Sequence, residues 1–405
     1  MLILKIAFRN LFRQKRRTLY TALSMVVGFT LASFFIGWAD GTYNNIIDTF
    51  TRNRLGHIQI HKKGYLEKKT LYNTIENPEK IITKLKNKDY VESHTTRIYS
   101  AGLVSCNKQS AGASIIGVDI KQEQKTVNIH KKIIKGEYFS KPAKNEVIIG
   151  KGLAKILEAV IGDTLVVVSQ GADGSIANDL YSLKGIIDIG DDISNRTAFY
   201  LPLVKAQELL VLNNQVHEIA LNTINLNKVR KYRNKLQNSI QNPEIYVAPW
   251  QEFARSFYLA MKADKEGMWI QLLIVIVIVA MGVLNTVLMA VLERRREYGV
   301  LKAMGTKPLQ ILRLIVTEVM ILAFFSIIIG SILGYLVNLY FSNYGISFPE
   351  PISYGGMEFK TMKGEINGRS FYLPSLMVAV SALIVSIFPA IKAAKTEPAQ
   401  SMRVF

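Results

Sequence analysis

The residues of this 405-residue chain best placed to do chemistry on a partner lie in Glu293–Leu312, ERRREYGVLKAMGTKPLQIL. Carboxylates at Glu293 and Glu297 alternate with cations at Arg294, Arg295 and Lys302, while Gly299, Leu301, Ala303 and Gly305 are small or apolar. Opposite charges within one helical turn suit charge-assisted hydrogen bonds to another protein. They do not suit proton transfer or covalent attack. The segment reads as a short helix lying at a membrane surface and held by a partner.

Other candidate sites carry less. The sequence IIGKGLAK at Ile148–Lys155 lacks the G-x-x-x-x-G-K-S/T spacing that would cradle a phosphate, so the chain is not expected to hydrolyse ATP itself. His57 and His61 sit on a strand, ~13 Å apart at ~3.3 Å per residue, with no carboxylate or cysteine partner in the pattern. No metal site is expected. Neither G-x-S-x-G nor H-E-x-x-H occurs, and no catalytic residue is assigned. Cys106 is the single cysteine, so no intrachain disulfide can form; it reads as a buried, inert thiol. Glu318 is the one acid inside an apolar run, about one turn from its end near Arg313. It reads as a snorkelling or interhelical hydrogen-bonding group. Gly330 and Gly334 frame a G-x-x-x-G and, with Gly28 and Gly282, mark positions where helices pack closely, within the chain or against a second one.

These residues need a membrane scaffold. Three apolar runs reach the ~20 residues of a spanning helix, Leu19–Ala39, Met268–Leu292 and Leu314–Phe341, and Leu373–Ile391 is a shorter fourth. The first is too long for a signal h-region and reads as an uncleaved anchor. Net charge is +19, from 50 Lys+Arg against 31 Asp+Glu. The short flanks explain much of it: Lys5–Arg17, Arg294–Arg313 and Lys392–Arg403 all fall on one side of a four-span chain. The positive-inside rule makes that side cytoplasmic. No basic patch interleaved with aromatics points to nucleic acid.

The expected organisation runs as follows. Residues 1–18 form an amphipathic interfacial helix on membrane lipid, 19–39 the first span and 40–267 an extracytoplasmic α+β domain with helical stalks. Residues 268–292 form the second span and 293–313 the coupling segment. The third span is 314–341, the outer loop 342–372, the fourth span 373–391 and the cytoplasmic tail 392–405. Stalks are read at Gly41–Arg54 and Pro249–Lys262. Strands are expected at Gly56–His61, with His57, Gln59 and His61 on one face, and at Val91–Val104, Asn145–Gly150, Thr164–Gln170, Ser182–Gly190, Ala198–Leu203 and Glu244–Val247. Helices are expected at Pro78–Lys88, Leu153–Val160, Leu203–Leu212 and Leu226–Ile240, and a hairpin turn at Asp173-Gly174.

ERRREYGVLKAMGTKPLQI resembles the coupling pattern E-R-x-x-E-I/Y-G-I/V-L-R/K-A-x-G of the FtsX-like permease superfamily, the mechanotransmission class of ABC transporters. RNLFRQKRRTLYT (Arg9–Thr21) and PAIKAAKTEPAQSMR (Pro389–Arg403) are similar to its membrane flanks. GHIQIHKKGY and EVIIGKGLAKIL look like external segments of lipoprotein-releasing, LolC/LolE-like permeases. The resemblance implies a MacB-like periplasmic core of two lobes, a βαβ-type one from both ends of the loop and a β-rich one from its middle. It implies two copies of a separate ATPase that bind ATP and Mg, so this chain binds no cofactor. It also implies a second permease, identical or homologous, and a periplasmic chaperone or adaptor. Glu293, Arg294, Arg295, Glu297, Gly299, Leu301, Lys302, Ala303 and Gly305 would couple to the ATPase. The implied function is lipoprotein release from the inner membrane. A MacB-like efflux permease and an FtsX-like signaller to a cell-wall hydrolase are the alternatives.

Overall fold

The computed structural model describes residues 2–13, 15–354 and 357–395. The chain opens with α1 (Leu2–Arg13) and α2 (Lys15–Phe50), which ends in a π turn at Thr51–Leu55. There follow β1 (Ile58–Lys62), β2 (Ile75–Glu76), α3 (Glu79–Lys86), β3 (Val91–Cys106), β4 (Gln109–Val118), α4 (Ile120–Thr126) and β5 (Ile133–Gly136). Next come β6 (Glu146–Gly150), α5 (Lys151–Ile156), β7 (Thr164–Gln170), β8 (Ile176–Ile187), α6 (Asp192–Thr197), β9 (Ala198–Pro202) and α7 (Leu203–Leu210). β10 (Gln215–Val216), β11 (Glu218–Thr223), α8 (Val229–Ile240), β12 (Ile245–Pro249) and α9 (Trp250–Phe253) finish the domain. α10 (Arg255–Glu293), α11 (Arg295–Ala303), α12 (Pro308–Asn343), β13 (Ile346–Tyr354), β14 (Met357–Met362) and α13 (Arg369–Lys395) complete the chain. Two compact units result: residues 2–43, 262–348 and 361–395, and residues 44–261 with 349–360.

Among the described residues, four helices are long and apolar enough to cross a membrane, at Thr18–Leu55, Arg255–Glu293, Pro308–Asn343 and Arg369–Lys395. Each helix outruns its apolar run. α13, for example, starts four residues before the apolar run at Leu373, because Asn367 caps it by accepting the Ser370 N–H. Small residues set the packing. A Cβ on Gly330 would come within 2.9 Å of the Phe29 ring, and one on Gly334 within 2.9 Å of Ser33 Oγ. Gly28 faces the Val279 side chain and Gly282 faces Ser24, with no room for a Cβ at either. α2 therefore lies against both α10 and α12 through glycines, as close helix approach requires. Gly37 and Gly41 extend the pattern: Glu365 donates its backbone N–H to Gly37 O at 2.9 Å, and Gly364 lies on the Gly41 face. Asp40 accepts from Arg369 at 2.8 Å and Asn367 at 3.1 Å. The stretch 342–372, expected as a plain loop, contains β13 and β14, which pair.

The second unit has two lobes. The first is a four-stranded antiparallel sheet in the order β12-β1-β11-β3. β1 and β3 flank β11 and are joined by α3; β11 and β12 flank β1 and are joined by α8. Two interlocked split βαβ units make this a ferredoxin-like sandwich. Ile58, Ile60, Ile219, Leu221 and Val247 pack with Ile81, Ile82 and Leu85 of α3 and with Tyr232, Leu236 and Ile240 of α8. The opposite face carries His57, Gln59, His61, Thr95, Arg97, Glu218 and Asn222, and it is buried too.

The second lobe is inserted between β3 and β11. Here the pairing closes on itself, β3–β4–β9–β6–β8–β7 and back to β3, a six-stranded mixed barrel. Its interior holds Val104, Val147, Ile149, Leu165, Val167, Tyr181, Leu183 and Phe199. The β7–β8 hairpin turns at Asp173 and Gly174, where Gly174 has φ +85°. The helix expected at Leu153–Val160 instead spans Lys151–Ile156, because Glu158 takes φ +50° and breaks it. Cys106 lies in this core, 3.8 Å from Asp163 Oδ2, and burial raises its thiol pKa.

Candidate functional site

α10 ends at Glu293 because Arg294 takes φ −96°, ψ 11° and turns the chain into α11. α11 ends in a Schellman motif: Gly305 N–H bonds Lys302 O at 2.9 Å and Thr306 N–H bonds Leu301 O at 3.0 Å. The motif needs a left-handed residue after the cap, and Gly305 supplies it at φ +93°. Pro308 then opens α12, where its fixed φ is already helical. Three breaks in the sequence pattern thus become one helix start, one helix stop and one restart.

The nine residues expected to couple divide between two faces. Arg294 points inward, only 7% exposed. Its Nη1 meets Glu318 Oε2 at 3.1 Å, its Nε meets Glu297 Oε2 at 3.0 Å, and its guanidinium lies 5.4 Å from the Tyr298 ring centroid. Burial works against the charge, but Tyr298, Glu318 and Glu297 together raise the Arg294 pKa above its ordinary value. Glu297 also reaches Arg13 of α1 at 3.2 Å. Asn10 of α1 donates to Glu318 Oε1 at 2.6 Å. Tyr298 and Gly299 are buried, Tyr298 in a cluster with Ile311, Ile315, Ala390 and Ala393. Leu301 is half-buried against the same cluster. Lys302 Nζ donates to Ala394 O at 2.9 Å, a cation on the carbonyl end of α13. Glu293, Arg295, Arg296, Val300, Ala303, Met304 and Gly305 are exposed. The outward face is therefore two arginines beside an apolar ridge, with Met304 71% exposed.

Arg294 and Glu297, expected to make contacts to a partner, are both engaged within the chain. Glu318, expected to snorkel or to hydrogen-bond between helices, bonds Arg294 and Asn10. Sequence reasoning missed Asn10, Arg13 and Glu318 as parts of this assembly. The signal was present only as a polar residue and a cation in α1 and a lone acid in α12. The tail beyond Lys395, including the end of the segment Pro389–Arg403, lies outside the described residues.

Elsewhere, His57 accepts the Thr223 N–H on Nδ1 at 3.0 Å, which leaves Nε2 to donate to Asp48 at 3.1 Å. His61 Nδ1 lies 3.1 Å from His217 O, and burial lowers its pKa to about 4. Each histidine serves its own local bonds. Among the described residues no group of three or more His, Cys, Asp or Glu side chains could hold a metal.

Residues 18–261 match the family model for the MacB-like periplasmic core domain, and residues 269–398 that for the FtsX-like permease C-terminal region. The lipoprotein-releasing system transmembrane protein LolC of Neisseria meningitidis serogroup B is 21% identical over 98% of both chains. The corresponding LolE of Haemophilus influenzae is 23% identical over 81% of each. The ABC transporter permease YtrF of Bacillus subtilis is 30% identical over 38% of this chain and 34% of its own. Among solved structures, the periplasmic region of MacB from Actinobacillus actinomycetemcomitans aligns with TM-score 0.38 at 13% identity, covering 49% of this chain and 91% of that one.

Proposed function

The chain belongs to the FtsX-like permeases that carry a MacB-like periplasmic core domain, and from that premise we propose that it turns ATP-driven motion of a separate ATPase into movement of its outer domain. The observation that carries this reading is the two-faced α11. Its inner face is bonded to α1, α12 and α13 through Arg294, Glu297, Tyr298 and Lys302. Its outer face offers Arg295, Arg296, Val300 and Met304. A helix built this way passes a push on its outer face into three other helices. Two ATPase subunits, one under each permease of a pair, would seat this face in a groove with an acidic rim and an apolar floor.

The N-terminus and C-terminus then lie in the cytoplasm of a cell whose inner membrane the four helices cross, and residues 44–261 work in the periplasm. Lipoprotein release from the inner membrane is the favoured activity, because the two lipoprotein-releasing relatives align along most of this chain. A periplasmic chaperone or adaptor would receive the cargo.

The test is reconstitution of the permease with its ATPase in proteoliposomes loaded with a lipoprotein. Arg295→Glu with Met304→Glu should abolish ATP-dependent release and co-purification of the ATPase, while the permease still folds. Gly305→Val should do the same more weakly, through the helix stop. Normal release by the double variant would sink the docking assignment. ATP turnover and ATPase binding without any lipoprotein release by the wild-type chain would sink the cargo assignment alone.

A further inference from the structure

A cavity of about 210 Å³ lies in the second unit where three parts meet: the turn at the end of α2, the shared strand β3 and the barrel strands β4 and β9. Arg54, Arg97, Lys132, Ser114, Ser194 and Tyr200 are among its lining residues. It is smaller than the ~300–1,000 Å³ of ordinary organic-ligand pockets, so an acyl chain is excluded by size.

Three cations and three carboxylates meet around it, but they pair unevenly, because two of the carboxylates sit on Arg97. Arg97 is fully matched, by Glu123 at 2.8 Å and Glu218 at 3.1 Å. Arg54 is matched by Asp191 at 3.2 Å and also bonds Ser194. Lys132 has no such carboxylate. Among the described residues its Nζ donates only to Asn53 O, at 3.1 Å, and the nearby Asp188 is held by Lys151 at 2.6 Å. Burial, with Arg54 and Arg97 close by, lowers the Lys132 pKa. The hydroxyls of Ser114 and Tyr200 have no hydrogen-bond partner among the described residues. Glu123, the acid at the wall, is used up on Arg97 and Thr95. The cavity is thus lined by two free hydroxyls and by a cation with no carboxylate bonded to it, while the carboxylate at its wall is already engaged.

We propose that this cavity binds a phosphate-type oxyanion, free or carried on a lipid headgroup, between Lys132, Arg54, Tyr200 and Ser114. Such an anion accepts several charge-assisted bonds at once and relieves the crowding of like charges. Bound there, it ties the turn at the end of α2 to the barrel. Neither this site nor its ligand depends on the transport reading above.

The full chain in detergent is the material, with Lys132→Met and Tyr200→Phe as variants. Both replacements remove a donor but keep an apolar or aromatic body, and Tyr200→Phe is the safeguard should Lys132→Met fold poorly. The probes are inorganic phosphate and water-soluble dihexanoyl-phosphatidylglycerol, followed by calorimetric binding and melting temperature at fixed ionic strength. Saturable binding of either probe is expected, weakened at least tenfold by Lys132→Met and measurably by Tyr200→Phe. Binding of phosphate itself identifies the free anion; binding of the lipid alone identifies a headgroup. A wild-type chain that responds to neither probe more than to sodium chloride, or variants that bind as wild type, would overturn the site.

Discussion

The sharpest test of the coupling assembly is to remove Arg294 and ask whether α11 comes loose. The Arg294 side chain is 9% exposed and that of Glu318 12%. Replacing Arg294 by Met leaves Glu318 with Asn10 as its remaining partner and frees Glu297 from one of its two cations. Breaking a buried pair from one side costs about 3–5 kcal/mol; these side chains keep slight exposure, so the lower end applies. About 3 kcal/mol is on the order of a hundredfold in the opening equilibrium of the helix. Hydrogen exchange of amides 297–304 in the full chain reads that equilibrium directly. Exchange should speed up on the order of a hundredfold in Arg294→Met while α12 amides far from Glu318 keep their rates. Arg294→Met combined with Glu318→Leu should recover most of the protection, because no unpaired charge is then left behind. Unchanged exchange in the single variant, or no recovery in the double, would show that packing of Tyr298 rather than the ion pair holds α11.

Gly28→Ala should destabilise the helix bundle by about 1–3 kcal/mol through overpacking against Val279, with Val279→Ala restoring the melting temperature; failure to restore it would refute the close approach. Gly305→Ala should cost roughly 1 kcal/mol, from its left-handed backbone alone, since a Cβ there meets nothing within 4 Å. His61 is held neutral, its pKa lowered to about 4 from 6.5. The unfolded chain therefore binds the extra proton first. Stability is full above pH 6.5 and falls as pH drops from 6.5 toward 4, by up to roughly 3 kcal/mol. His61→Phe should flatten that part of the pH–stability curve, and an unchanged slope would assign it to other groups.

Much of the membrane half was legible because apolar runs and short basic flanks are local signals. The two faces of α11 were not. Arg294 and Arg295 are neighbours of one type, and only contacts with Asn10, Arg13 and Glu318, remote in sequence, decide which turns inward. In the second unit, alternation correctly placed His57, Gln59 and His61 on one face, but could not show that α4, the end of α2 and the segment around Leu71 would bury it. β4 escaped notice because QSAGASIIGV is rich in small residues. One of them has a packing reason: Gly117 lies under Ala206 of α7, where a side chain would not fit. Barrel closure was invisible because β4 pairs β9 and β6 pairs β8 in parallel, across intervening elements. Such pairing leaves no hairpin signal.

The route by which the barrel joins its neighbour has a modular consequence. β3 enters the barrel and β11 leaves it as adjacent antiparallel strands, with Arg97 opposite Glu218. The ferredoxin-like lobe is therefore a chassis with one two-stranded socket, and the barrel is a cartridge whose two ends emerge side by side. Joining Arg97 to Glu218 through a short Asn-Gly turn would close the chassis without it. Several bonds cross the joint, among them the one by which Glu123, from the cartridge, helps to neutralise Arg97 of the chassis. A barrel exchanged in without that carboxylate would leave Arg97 with Glu218 alone, and removing Arg97 as well would strand Glu218, so the three residues move together.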